Sequence, residues 1–191
     1  MLNFENKPII GMIHLAGGES AIARALTEIE LLSACGVNAC LVENYHDDTT
    51  VLIKVMKELH RNKPDNMEVG VNVLPNDYID AFEIANLYGG SFIQLDCLAG
   101  QYEHHTPVGH EFRILRDAAF KHIQVLGGVW PKYYKPIKGS ILGADILEAW
   151  GKLQANDAIV VTGEGTGKTT PTDKIKQFKE IIKVHVVLSD S

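Results

Sequence analysis

The feature that most constrains the fold of this chain is a repeated alternation of two patterns. Seven short runs of apolar, often β-branched residues recur along the sequence, and longer stretches of helical periodicity separate them. Successive runs begin 24 to 35 positions apart, which is the length of one strand, one helix and two loops. Little polar alternation interrupts the runs, so we expect parallel strands that are buried on both faces. The predicted strands are 8–13, 39–43, 68–73, 92–96, 123–129, 158–162 and 184–188.

Alternating strands and helices leave two main architectures, an open doubly wound sheet and a closed TIM barrel of type (β/α)8. The units are similar in length, and the first run is not followed by a glycine-rich dinucleotide-binding loop. Both observations favour the barrel. The period alone also allows an open sheet. The sequence contains no linker or low-complexity tract, so we expect one α/β domain over residues 1–191.

The seventh predicted strand stands at the end of the sequence, so we expect about seven of the eight βα units of a barrel. Two alternatives follow from this expectation. Either the chain is a truncated product, or the open barrel edge is covered by another copy in a homo-oligomer or by another protein partner.

Composition excludes several classes of protein. Hydrophobic residues make up 46% and charged residues 22% of the 191 residues, which is typical of a soluble globular protein. A net charge of −6 disfavours nucleic acid as a partner, and no apolar run is long enough for an integral membrane segment. The three cysteines form no CxxC pair and the first residues do not resemble a signal peptide, so we expect a cytoplasmic protein with reduced thiols.

Polar residues stand at the carboxyl ends of the predicted strands, where the chemistry of parallel α/β proteins gathers. Carboxylates and an imidazole that share a cleft are suited to acid/base chemistry, because neighbouring groups shift their pKa values. The candidate site residues are His14, Glu43, Asn44, Asn72, Asp96, Lys132, Thr162, Gly163 and Ser189.

Each candidate also has a structural interpretation. His14 could be a structural histidine, Asn72 could hold a loop backbone, Asp96 could cap a loop and Lys132 could extend to solvent. Glu43 favours function more strongly, because a carboxylate that closes an apolar strand is costly to bury without a partner.

Three other patterns do not support a function. The glycine-rich stretch 163–169 resembles a phosphate-binding P-loop, but three residues rather than four separate Gly163 from the Gly-Lys pair, so we do not expect nucleotide hydrolysis. Its backbone N–H groups still suit a phosphate. His104, His105 and His110 fit no zinc spacing, and we expect neither a metal nor a cofactor. The sequence contains no GxSxG motif, so we do not expect a covalent hydrolase.

Four motifs in order resemble those of the BtpA/SgcQ family, over about residues 7–191. They are GMIHL at 11–15, VENY at 42–45, VGVNVL at 69–74 with Asn76 and Asp77, and IVVTG at 159–163. The resemblance implies a TIM barrel of the ribulose-phosphate-binding type. It also implies a link to photosystem I biogenesis, through the founding member, or to bacterial sugar metabolism. The family brings no established reaction.

The chain departs from the family pattern after two strands. Where the family tends to carry Thr-Asp-Gln-Gly, this chain has His-His-Thr-Pro at 104–107, and where the family has an Asp and a His around its lysine, this chain has Gly128 and Tyr133. Lys132 matches the family lysine, and Ser189 lies in a stretch similar to the family's Gly-Ser-Gly region.

Two functional hypotheses follow. In the first, the chain binds or transforms a small phosphorylated metabolite, with Glu43 as general acid/base, His14 as its proton partner or orienting group, and Lys132 stabilising negative charge. Isomerisation, epimerisation and aldol-type cleavage remain open. In the second, the protein is a non-catalytic assembly or stabilisation factor, as the photosystem connection implies. Substrate-binding roles in the first hypothesis fall to Asn44, Asn72, Asp96, Thr162, Gly163 and Ser189.

Overall fold

The structure is a computed structural model that describes residues 1–165, 167–182 and 185–189. Strands and helices alternate along it, as the sequence predicts. The strands are β1 (Ile10–His14), β2 (Ala39–Glu43), β3 (Glu68–Asn72), β4 (Phe92–Ala99), β5 (Gln124–Val129), β6 (Ala158–Thr162) and β7 (His185–Ser189). The α-helices are α1 (Ala21–Ala34), α2 (Thr49–Asn62), α3 (Tyr78–Tyr88), α4 (Glu111–Leu115), α5 (Leu142–Lys152) and α6 (Thr172–Ile181).

The strands form a sheet whose order follows the sequence from β1 to β7, with parallel pairing in the registers that are described. His14 lies opposite Glu43, and Glu43 lies opposite Asn72. Thr162 lies opposite Ser189 in the pair formed by β6 and β7. The carboxyl ends of β1, β2 and β3 therefore lie level with one another, and within the other pair the ends of β6 and β7 do so too.

The residues group into two compact units, which we call the first unit and the second unit. The first unit comprises Met1–Gln94 and Phe120–Gln124, and the second comprises Leu95–Ala119 and Val125–Ser191.

The core of the first unit is built on β2, in which every residue is buried, and on the inner face of α2. The four apolar residues of α2 at helical spacing, Leu52, Val55, Met56 and Leu59, are all buried. Phe82 of α3 stacks on Phe120 with ring centroids 5.0 Å apart. Apolar burial of this kind contributes about 25 cal/mol per Å² and holds the sheet and helices together.

In the second unit a buried ion pair lies beneath the strands. Arg116 donates from Nη1 and Nη2 to the two carboxylate oxygens of Asp157 at 2.5 and 2.7 Å. Asp157 also accepts the backbone N–H of Val125 at 2.8 Å and that of Gln154. Four donors satisfy the carboxylate and tie the start of β5 to the turn before β6.

The structure corrects the predicted end of the fourth strand, which continues past Asp96 to Ala99. Asp77 caps α3 by accepting from the N–H of Asp80, whereas Ser20 stands before α1 without a capping hydrogen bond from its side chain. Thr166 of the glycine-rich stretch and Val184 of the seventh predicted strand lie outside the described residues. Within the part that is described, no helix has the length and apolar character needed to span a membrane.

Candidate functional site

In the first unit, the last residues of three neighbouring strands form a hydrogen-bonded group. Glu43 is buried, with its side chain 7% exposed, and its Oε2 accepts a hydrogen bond of 2.6 Å from Nδ2 of Asn72. The other carboxylate oxygen, Oε1, lies 3.6 Å from Nε2 of His14, whose side chain is 38% exposed. We call His14, Glu43 and Asn72 the dyad group, after its imidazole and carboxylate.

The loops that follow β1 and β2 hold the dyad group in place. The backbone N–H of Leu15 donates to the carbonyl of Glu43, and the N–H of His46 donates back to the carbonyl of Leu15, each at 2.9 Å. Farther along, the N–H of Gly17 donates to Oδ2 of Asp47 at 2.8 Å. The two backbone bonds extend the pairing of β1 and β2 past the last residues of the strands, and the contact of Gly17 with Asp47 joins the two loops.

Two further residues border the dyad group. Asn44 lies directly after Glu43, and its Oδ1 accepts the backbone N–H of Leu74 at 2.8 Å, which fixes the loop after β3. The ring of Tyr45 lies 4.9 Å from the ring of His14 and is 49% exposed. The sequence predicts a binding role for Asn44. The structure shows a loop-holding contact there, and it adds an exposed aromatic ring that sequence reasoning missed.

The arrangement of the dyad group is suited to moving a proton. A buried carboxylate held by an amide on one side faces a half-exposed imidazole on the other, and imidazole is the side chain that exchanges protons most readily near neutral pH. The burial of Glu43 is satisfied locally, which removes the usual objection to a carboxylate in an apolar strand.

The other predicted residues lie in the second unit. Asp96 accepts a hydrogen bond of 2.8 Å from the hydroxyl of Tyr134. Thr162 accepts the backbone N–H of Lys132 through its hydroxyl, also at 2.8 Å. A Cβ at Gly163 would overlap the carbonyl oxygen of Lys168, so the close approach of two backbones requires glycine there.

The last predicted residue, Ser189, ends β7, and its carbonyl accepts from the Thr170 hydroxyl at 3.5 Å. The sequence predicts a phosphate-binding role for Thr162, Gly163 and Ser189. The contacts above show what holds these residues, and their binding role stays a prediction.

Sequence reasoning missed a lysine at the carboxyl end of β6. Lys174 lies on α6, and its Nζ donates to the carbonyls of Thr162 and Trp130 at 3.0 and 3.1 Å. Burial lowers the pKa of Lys174, and the charge of Glu164 opposes this shift. A lysine that reaches a strand end from a helix leaves no signal in the sequence of the strand itself.

Tyr102 provides a second link that the sequence did not indicate. Its hydroxyl donates to the carbonyl of Ala99 at 2.8 Å and accepts the backbone N–H of Trp130 at 3.0 Å. Burial raises the pKa of Tyr102, so its hydroxyl stays protonated and acts as a structural hydrogen-bonding group. Among the described residues, no three His, Cys, Asp or Glu side chains are grouped so that they could hold a metal ion.

Comparison with known proteins identifies the family. The model of the BtpA family matches residues 5–191. The chain belongs to the BtpA family. A relative of uncharacterised function from Thermococcus kodakarensis is 31% identical over 213 aligned positions, which cover 98% of this chain and 79% of that protein. A second BtpA-family relative, the photosystem I biogenesis protein BtpA of Synechocystis, is 29% identical over an alignment that covers 85% of this chain and 64% of that protein.

The fold of this BtpA-family chain has solved structural neighbours. A dihydropteroate synthase from Coxiella burnetii superposes with a TM-score of 0.63 over 95% of this chain and 72% of that enzyme, at 11% sequence identity. The neighbours are TIM-barrel enzymes, which confirms the predicted α/β fold of TIM-barrel type. At such low identity the likeness concerns the fold alone.

Proposed function

We propose that this BtpA-family protein binds a small phosphorylated metabolite and moves a proton on it with the dyad group. The observation that carries the proposal is the half-exposed imidazole of His14, 3.6 Å from the buried carboxylate of Glu43, whose second oxygen is held by Asn72. Such a pair is the usual equipment for general acid/base catalysis.

Exposure assigns the two roles within the pair. The imidazole of His14 is 38% exposed and the carboxylate of Glu43 only 7%, so a ligand meets the imidazole first. In this proposal His14 exchanges the proton with the ligand, and Glu43 orients the imidazole and stabilises its protonated form. This reverses the order of roles that the strand-end pattern alone suggests, in which Glu43 is the general acid/base.

The class of ligand is supported by the family resemblance, which points to barrels of the ribulose-phosphate-binding type. Isomerisation, epimerisation and aldol-type cleavage all require a proton to be taken from, or given to, a carbon or hydroxyl near a carbonyl. A single imidazole–carboxylate pair suits each of these reactions, and proton transfer is the step that they share.

The experiment that tests this proposal follows deuterium. The protein is incubated in D₂O with a panel of aldose and ketose phosphates, and loss of each C–H signal is followed by proton NMR. We expect protein-dependent exchange at one carbon of at least one compound. His14→Asn and Glu43→Gln should each slow that exchange about 100-fold or more, since general acid/base groups contribute about 10² to 10⁴ in rate.

Two surface substitutions in the same unit serve as matched controls. Glu58 and His122 are exposed, and Glu58→Gln and His122→Asn should leave the exchange rate unchanged. Circular dichroism establishes that each variant is folded. Exchange at the wild-type rate in both His14→Asn and Glu43→Gln would contradict the proposal.

A second candidate function is favoured by the name of one relative. The Synechocystis protein is a photosystem I biogenesis protein, which supports a non-catalytic assembly or stabilisation factor as the alternative. The two candidates differ in their dependence on the dyad group. If His14→Asn and Glu43→Gln leave complementation of a strain lacking this gene intact, the assembly role is favoured over catalysis.

A further inference from the structure

The loop after β5 holds two aromatic residues in a backbone conformation that favours glycine. Trp130 has φ +49° and Tyr133 has φ +68°. Bulky side chains rarely adopt this left-handed region, because Cβ crowds the backbone, so each instance is strained. Glycine takes a positive φ in the same loop at Gly139, where φ is +95°.

The strained conformation is imposed by contacts on several sides of the loop. Nε1 of Trp130 donates to Asp145 at 2.7 Å, so the indole is used for structure. The N–H of Trp130 is held by Tyr102, its carbonyl by Lys174, and the N–H of Lys132 by the hydroxyl of Thr162. The loop is therefore built to hold residues 130–133 in one arrangement.

The arrangement presents an aromatic ring and a cation side by side. The side chain of Tyr133 is 69% exposed, so much of the ring faces solvent. Nζ of the half-buried Lys132 lies 5.9 Å from the centroid of that ring. A Cβ at Gly165 would lie 3.5 Å from the hydroxyl of Tyr133, which places the ring beside the glycine-rich loop after β6.

We propose that Lys132 and Tyr133 form a binding site for sugar phosphates, in which the ammonium of Lys132 binds the phosphate and the ring of Tyr133 packs against the sugar. A lysine ammonium is a strong point charge for a phosphate, and an exposed aromatic face covers the C–H surface of a sugar ring. An exposed ring held in a strained backbone conformation suits a ligand-binding role, because such strain clusters at functional sites. This binding site rests on the proposed function in one respect only, namely that the ligand carries a phosphate.

Calorimetric titration tests the site. Ribose 5-phosphate, glucose 6-phosphate, their unphosphorylated sugars and inorganic phosphate are titrated into the full chain. We expect at least one sugar phosphate to bind at least 10-fold more tightly than its sugar, and Lys132→Gln to weaken that binding at least 10-fold. Lys138→Gln, an exposed lysine of the same loop, is the matched control and should change nothing.

Tyr133→Gly separates binding from folding. Glycine adopts φ +68° without strain, so we expect an unchanged or higher Tm together with at least 5-fold weaker sugar-phosphate binding and little change for inorganic phosphate. A merely structural Tyr133 would give the opposite result, a lower Tm with unchanged affinity, and would overturn the proposal. A wild-type protein that binds no sugar phosphate more tightly than the corresponding sugar would also overturn the proposal. The titrations extend to about 10 mM ligand, which covers weak, millimolar affinities.

The experiments distinguish failure of this binding site from failure of the proposed function. Lys132→Gln is read by calorimetry as an affinity, whereas His14→Asn and Glu43→Gln are read as a rate of deuterium exchange. Lost exchange with retained sugar-phosphate affinity in the dyad variants supports both proposals. Retained exchange in those variants contradicts the proposed function, and the calorimetric titration of the Lys132 and Tyr133 variants then decides the binding site independently.

Discussion

Arg116 and Asp157 form a buried ion pair in the second unit. Their side chains are 2% and 1% exposed, so both charges are removed from water and compensated only by protein groups. Asp157→Asn would leave the guanidinium buried without its counter-charge, and we expect the free energy of unfolding to fall by about 3 to 5 kcal/mol. Chemical denaturation measured by circular dichroism gives this value directly.

An exposed ion pair provides the control for that substitution. Glu58 and Arg61 lie 3.0 Å apart on α2, with side chains 40% and 56% exposed. Because solvent and salt screen such a pair, Glu58→Gln should cost about 0 to 1 kcal/mol. Equal losses in the Asp157 and Glu58 variants would show that burial does not set the strength of the deeper pair.

The three cysteines differ in the reactivity that we expect from their surroundings. Burial raises the pKa of Cys40 and of Cys97 to about 12, whereas Cys35 is exposed. The thiolate is the reactive form, so the two buried thiols react more slowly than an exposed one. Titration with a chromogenic disulfide should therefore detect one thiol in the native protein and three in guanidinium chloride. Three fast thiols in the native protein would contradict this assignment.

At the scale of elements, two glycines have opposite effects on stability. A Cβ at Gly128 in β5 would overlap the backbone oxygen of Asp96 in β4, whereas a Cβ at Gly151 in α5 meets open space. Gly128→Ala should lower the free energy of unfolding by roughly 1 to 3 kcal/mol, because a backbone strand has to shift. Gly151→Ala should raise it by about 0.5 to 1 kcal/mol through helix propensity. Thermal denaturation of the two variants measures both signs.

The clash at Gly128 also accounts for one departure from the family pattern. Where the resemblance leads one to expect Asp, this backbone leaves no room for a side chain. If Gly128→Asp folds with wild-type stability, the close approach of β4 and β5 is not rigid at this position.

The elements whose sequence is uniform are predicted well, and those with mixed signals are not. The predicted bounds of β2 and β6 are correct to the residue, because both are apolar runs that end in a polar residue. The sequence places the end of the fourth strand at Asp96, since its carboxylate suggests an edge, but the buried strand continues to Ala99. Asp96 can lie within the strand because its carboxylate accepts a hydrogen bond from the hydroxyl of Tyr134. The hydrophobic pattern of the strand does not reveal this partner.

Candidate site residues are predictable to the extent that they follow from strand ends. The register of parallel strands brings Glu43 opposite Asn72, so their contact follows from the ends of two neighbouring strands. The positive φ of Tyr133 and the reach of Lys174 from α6 depend on loop and helix geometry, for which local sequence carries no signal. Contacts made by long side chains across elements are therefore the part that only the structure supplies.

At the scale of the whole molecule, acidic side chains set the sign of the net charge at neutral pH. The formal net charge is −6 at pH 7 with neutral histidines, and the pI is near 5.7. The 24 Asp and Glu residues outnumber the 18 Lys and Arg residues, so protein molecules repel one another at neutral pH and lose that repulsion as the pH falls towards the pI.

Electrophoretic light scattering against pH tests this assignment. We expect the mobility to change from negative to positive near pH 5.7, with the lowest solubility at low ionic strength in the same range, because self-repulsion vanishes there. A positive mobility at pH 7, or a solubility minimum away from the crossover, would contradict this account of the charge.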